Sequence, residues 1–350
     1  MKKLSAIFLT LVCALTLGAC GVQGGYEDLT SELPAADSVS DPRSFTGLSN
    51  VSDFKDIEPV ADSVEPQLPV ELTDADGNDV TVNDVSRILA LDIYGTYTKS
   101  LTGLGLADNI VGRTVSSTEP NLQDLPVVTE GGHNINVEAV LSLEPTLVIV
   151  DHSIGPRDAI DQIRAAGVTT VVMEPQRTID SVGEDIAKLG GIVGLPEEAK
   201  ELGERSIKEI DEAKTAIAEL VPDEPMRMAF LYARGNGGVF FIMGEGTGAR
   251  DLIEGVGGVD LGTENHLSYA EPANAEALAK IDPEVIIMMT NGLESTGGID
   301  GLMQRPGVAQ TTAGKKQRIV TIPDGQSLAF GPMTGQTLIK LAKAVYAPDA

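Results

Sequence analysis

A chain of 350 residues, 42% of them hydrophobic, can build two modest cores, because a single core stops growing near ~250 residues. Its formal charge of -27 excludes sequence-independent binding to nucleic acid or anionic lipid, since both need cationic patches that release counterions. Only Cys13 and Cys20 are present, so no disulfide framework survives removal of an N-terminal export segment.

In chain order, export comes first. "MKKLS" supplies positive charge, "AIFLTLVCALTL" is an apolar run too short to span a bilayer comfortably, and "LGAC" follows with small residues. This predicts a signal peptide over residues 1–19. Leu17-Gly18-Ala19-Cys20 also resembles a bacterial lipobox, in which the cut falls before the cysteine and its thiol carries the lipid. Residues 20–66 are rich in Gly, Ser, Pro and Asp and carry no sustained apolar period. Such a segment buries too little apolar surface to offset its ordering entropy, which predicts an acidic, flexible, lipid-anchored tether.

Folded structure is expected from residue 67. "VELTDADGNDVTV" places two alternating runs around Asp76-Gly77, a strong hairpin signal. "RILALD", "NIVGRT", "TLVIVD" and "TTVVME" read as strands, with helices at "TYTKSLTGLGLAD" and "PRDAIDQIRAAG". Continuous apolar strands alternating with helices predict a largely parallel sheet covered on both faces, an N-terminal α/β lobe over 67–178. Residues 179–222 are strongly helix-forming in "PEEAKELGERSIKEIDEAKTAIAEL" and predict a helical segment between lobes. A second α/β lobe follows over 223–350, with strands "MRMAFLYAR", "GVFFIMG", "VIIMM" and "RIVTIP" and a closing amphipathic helix near 334–345.

The second lobe repeats the first. "NVEAVLSLEPTLVIV" and "NAEALAKIDPEVIIM" match in Asn, Glu, Ala, the acidic-Pro pair and the apolar strand at one constant offset of 138. In each copy Asn caps a short helix and proline stops it before a buried strand. The loops preceding Asn136 and Asn274 are therefore equivalent, and loops at carboxyl strand ends line the crevice of open α/β sheets. His133 precedes one cap and Tyr269 the other.

Tyr232 ends strand "MRMAFLYAR", and Arg234 faces the same side roughly 7 Å further along an extended chain. A guanidinium there favours a phenolate, whose unperturbed pKa of about 10 is otherwise high for a neutral-pH ligand. On spacing alone, a half-buried tyrosine beside a solvated arginine is the commoner arrangement. The glycines before His133 either shape a turn or let a flat ligand approach the backbone. His152 follows "TLVIVD" and His266 lies in "GTENHLSY"; both read as polar surface or crevice residues. Met289 and Tyr269 suit either packing on a planar ligand or packing on the core. No G-x-S-x-G elbow, phosphate-binding loop or clustered histidines are present, and no nucleophile, base and oxyanion site assemble, so an enzyme is not expected.

The lipobox, the hairpin, the repeated module and the interlobe helical segment together resemble the substrate-binding lipoproteins that feed iron-chelate, cobalamin and haem ABC importers. The resemblance covers residues 67–348. Within it, "EGGHNIN" and "FLYARG" look like the haem-binding HmuT type of actinobacterial uptake systems. It implies a class III architecture: two Rossmann-like lobes on a long rigid helical segment, with the ligand cleft between them. It further implies haem as the transported ligand, with His133 and Tyr232 as axial ligands to its iron and Arg234 supporting the tyrosine. A ferric-siderophore or cobalamin cargo is the alternative within the same fold. The implied partners are an ABC permease with its ATPase, and surface haem-receptor proteins as donors. The implied place is the outer face of the cell membrane, held by the lipid on Cys20.

Overall fold

The computed structural model describes residues 29–235 and 238–350, so the expected signal segment and Cys20 lie outside the described residues. Where the described chain begins it is a docked strap, which corrects the expectation of a free tether for residue 29 onward. Three 3-10 turns lead into strand β1 (Leu48–Asn50), which pairs in parallel with a strand near the C-terminus, Ile319–Ile322. Arg43 pairs with Glu284 at 2.7 Å and Glu32 with Lys340 at 2.8 Å. Further along, the Val60 N–H donates to the Gly103 carbonyl at 2.9 Å and the Gln67 N–H to that of Gly194 at 2.7 Å. Val51 is buried, and Phe54, Val60, Val64 and Leu68 pack singly on the main core. A sparse apolar pattern suffices here because the surface that receives it is already ordered by the rest of the fold.

The hairpin forms as expected: β2 (Val70–Thr73) and β3 (Asp79–Val82) pair antiparallel, and Gly77 turns between them at φ +82°. Beyond it lie β4 (Ile88–Leu91), β5 (Ile110–Gly112), the two-residue ribbon β6 (Thr129–Glu130) and β7 (Asn134–Ile135), β8 (Leu147–Asp151) and β9 (Thr170–Met173). The sheet order β5-β4-β8-β9 is parallel throughout. Helices α1 (Thr96–Gly103), α2 (Val137–Ser142) and α3 (Arg157–Ala165) connect these strands. Every residue of β4, β8 and β9 is buried, as continuous apolar runs in a doubly covered sheet require.

Two helices, α4 (Val182–Ile192) and α5 (Pro196–Ala218), make up the central helical segment. α5 has 23 residues and spans about 34 Å. The two pack backbone-close: a Cβ on Gly190 would lie 2.1 Å from that of Ala199, so only glycine fits there. One hydrophobic cluster runs from Ile149 and Leu101 through Leu202 and Ile210 of α5 to Phe230 and Leu341. The linker is thus part of a core shared by both lobes, which makes it stiff.

The second lobe adds β10 (Arg227–Arg234), β11 (Val239–Met243), β12 (Val259–Asp260), β13 (Ala270–Pro272), β14 (Val285–Met289) and β15 (Ile319–Ile322). Its sheet runs β1-β15-β14-β10-β11-β13, with β12 also on β10. β10 pairs antiparallel with β11, and β11 with β13, so this sheet is mixed, unlike the all-parallel sheet of the first lobe. The cause is the connection "GNGG", too short for the crossover that parallel neighbours need. The last helix, Thr334–Tyr346, is buried around nearly its whole circumference. The strap covers the side that an amphipathic reading leaves to solvent: the Gln336 side chain accepts the Lys55 N–H, and Lys340 lies 5.9 Å from the Phe54 ring centroid.

The internal repeat survives in detail. Asn136 and Asn274 each accept the N–H three residues on, from Ala139 and Ala277, at 2.9 Å. Glu144 and Asp282, before the two prolines, both take positive φ, 45° and 39°. The strands that follow, β8 and β14, then occupy equivalent places: Ile88 pairs with Leu147 as Met228 pairs with Val285.

Candidate functional site

The carboxyl ends of the two sheets border a cavity of about 580 Å³. From the first lobe it is lined by Tyr94, His152, Ser153 and Arg177, and from the second by Thr247, Tyr269 and Phe330. The first-lobe positions follow β4, β8 and β9, where an open α/β sheet presents its loops; on the second lobe Phe330 follows β15, Thr247 follows β11 and Tyr269 leads into β13 (Ala270–Pro272).

On the second lobe the structure brings Tyr232, Arg234 and Met289 together. Tyr232 is half-buried near the end of β10, opposite Phe241 of β11. The Arg234 guanidinium carbon sits 4.9 Å from the centroid of the Tyr232 ring. Its N–H groups donate to the Asp324 carboxylate, to Met289 Sδ at 3.2 Å and to the Ala233 carbonyl at 3.1 Å. The Arg234 guanidinium therefore lies over the Tyr232 ring, and its charge is shared with Asp324. Met289 is a buried strand-end residue against Arg234.

Tyr269 lies inside the cavity, 63% exposed and at φ 43°. A bulky side chain at positive φ is uncommon, and such strain gathers at ligand-contacting positions. Its backbone is fixed by the Gly244 N–H, which donates to the Tyr269 carbonyl at 2.7 Å.

His133 occupies the turn of the β6–β7 ribbon on the opposite lobe, with its side chain exposed. Gly131 and Gly132 take φ of 58° and 92°, so they shape that turn, and a Cβ on Gly132 would meet open space. The ribbon is tied to the loop beyond β8: the Gly155 N–H donates to the His133 carbonyl at 2.9 Å. His133, Tyr232, Arg234 and Met289 are not among the residues that line the cavity. Of the other histidines, His152 is a crevice residue with Nε2 2.9 Å from Asp76 Oδ1, a contact that lowers the Asp76 pKa. His266 is 90% exposed at the surface.

A polar cluster under Tyr94 was not anticipated. Arg177 lies 4.8 Å from the Tyr94 ring centroid and pairs with the Asp151 carboxylate, which also accepts from the Tyr97 hydroxyl at 2.5 Å. Asp92 is fully buried beneath and accepts the N–H groups of Tyr94 and Thr96 at 3.2 and 3.1 Å. Burial, then the neighbouring Asp151 charge, pushes the Asp92 carboxyl up. Burial also raises Tyr94, with the Tyr269 phenol across the cavity adding to it. Tyr94 follows strand "RILALD" as Tyr232 ends "MRMAFLYAR", so the strand-end rule applied to one lobe would have found its counterpart in the other.

Two α/β lobes on a long helix, with a crevice at their carboxyl strand ends, define the class III substrate-binding protein fold. The chain belongs to the periplasmic binding protein family, whose model matches residues 93–325. The crystal structure of the heme binding protein HmuT is 63% identical, covers 88% of this chain and 100% of its own, and superposes with a TM-score of 0.87. HmuT has also been solved as three single-residue alanine variants, of a histidine, a tyrosine and an arginine. The periplasmic heme-binding protein RhuT from Roseiflexus sp. RS-1 in apo form is 31% identical over 76% of this chain and 99% of its own, with a TM-score of 0.70. YvrC of Bacillus subtilis (strain 168), an uncharacterized ABC transporter substrate-binding lipoprotein, is 24% identical over 87% of this chain and 93% of its own. These relatives are binding proteins, and the chain is a substrate-binding protein of an extracytoplasmic family rather than an enzyme. Among the described residues, no helix is long and apolar enough to cross a membrane.

Proposed function

We propose that this protein captures ferric haem between its lobes and delivers it to an ABC permease and its ATPase, from an anchor at Cys20 on the outer face of the membrane. His133 and Tyr232 are the axial ligands, one from each lobe, and Arg234 backs the tyrosine. The observation that carries this reading is the Tyr232–Arg234 stack at the carboxyl edge of the second lobe, in a chain so similar to HmuT. A phenolate is a hard anionic donor suited to ferric iron, imidazole is a usual second ligand, and a guanidinium beside the ring favours the ionised form. Tyr269 and Met289 lie on the same lobe, where they can pack on the macrocycle.

Hemin titration of the purified protein tests the proposal. A Soret band with tyrosinate character is expected. Tyr232→Ala should abolish the tyrosinate signature, and each of His133→Ala and Tyr232→Ala should weaken hemin binding at least about tenfold. A protein that leaves the hemin spectrum unchanged while taking a ferric siderophore or cobalamin would overturn it.

A further inference from the structure

Arg234 is the last residue of β10, and its long side chain has many rotamers available at a strand end, each costing entropy to exclude. Asp324 selects the rotamer stacked on Tyr232. Asp324, just beyond β15, accepts from the guanidinium through Oδ1, and its other oxygen accepts the Asn291 N–H at 3.0 Å. That second bond, together with the Ser327 hydroxyl donating to the Asp324 carbonyl at 3.0 Å, fixes Asp324 itself. The chain of contact therefore runs from the backbone after β14, through Asp324 and Arg234, to the face of the Tyr232 ring.

The first lobe repeats this construction with other parts. There Arg177 stacks on Tyr94 at 4.8 Å and is held by the Asp151 carboxylate and by Ser153 Oγ at 3.1 Å. The holding aspartate ends β8 in one lobe and follows β15 in the other, and the internal repeat matches Asp151 with Met289 rather than with Asp324. The same three-group arrangement thus arises from non-corresponding positions. An aspartate is what holds a guanidinium over a tyrosine ring at either sheet edge.

We propose that Asp324 is a positioning residue for the iron-binding tyrosine: it holds Arg234 on the Tyr232 ring and so sets the ring's orientation before the ligand arrives. The inference rests on the reading of Tyr232 as a haem ligand. Outer partners of metal ligands act this way, orienting the donor and tuning its strength.

The test is a double-mutant cycle on hemin-loaded protein, reading hemin dissociation and the tyrosinate–iron vibration. Asp324→Ala should speed dissociation about tenfold and shift the vibration in the same sense as Arg234→Ala. The double variant should be no worse than Arg234→Ala alone, because Asp324 acts through the arginine. Asp324→Glu, which keeps the charge, should recover part of the loss. Additive effects, or an unshifted vibration in an Asp324→Ala protein that melts like the wild type, would overturn the inference and leave Tyr232 as ligand untouched. A wild-type protein with no tyrosinate signature would remove both readings.

Discussion

The strap offers the sharpest contrast between a free spacer and a docked segment, and Val51→Ala separates them. Val51 is 4% exposed, lies one residue beyond β1, and its N–H donates to the Thr321 carbonyl at 2.8 Å. The substitution keeps that backbone bond and removes two methyl groups from the core. Transfer accounts for about 1.6 kcal/mol, and an incompletely closed cavity raises the cost to about 2 kcal/mol. For a chain of this size the unfolding entropy converts that to a fall in Tm of about 3 °C. Calorimetry measures it, and limited proteolysis of residues 29–66 should show faster cutting, while hemin affinity stays unchanged. An unmoved Tm with unchanged cutting is what a free tether gives, and it would refute the docking.

Two further outcomes are expected. Cys20→Ala should move the protein from the detergent phase to the aqueous phase in a partition assay without altering hemin binding; continued partitioning into detergent would count against the lipid anchor. Asp92→Asn should stabilise at pH 7, because burial and Asp151 hold the folded-state pKa above its unfolded value. The ionised carboxyl therefore works against the fold at neutral pH, and that penalty vanishes as pH falls through the folded value, so the gain should shrink toward zero in acid. Asparagine keeps an oxygen for the Thr96 and Tyr94 N–H groups. Melting curves at pH 7 and pH 4 decide, and a loss of stability of equal size at both would refute the reasoning.

What could be read from the sequence was whatever repeats locally. The alternation of buried strands and helices, the Asp76-Gly77 hairpin and the two Asn caps each depend on residues within a few positions of one another. The strap could not be read that way. Its ion pair from Arg43 to Glu284 spans 241 positions and its Thr321–Asn50 bond spans 271, so its stability is written in residues at the far end of the chain. The site divides along the same line. Tyr232 and Arg234 were legible because a strand end fixes both, whereas Asp324 meets Arg234 from 90 positions away. Arg177 similarly reaches Asp151 from a loop beyond the next strand, and nothing in its own neighbourhood marks it.

The docked strap also sets a distance. A spacer running free from Cys20 to residue 66 could extend about 160 Å, whereas only eight residues lie between Cys20 and the docked strap at Leu29, a reach of about 30 Å at full extension. Were Cys20 lipid-anchored as proposed, the protein would occupy a catch zone about one domain deep along the membrane. Donors would have to bring cargo down into that layer. Loaded protein would then meet permeases by lateral diffusion, a search in two dimensions instead of three.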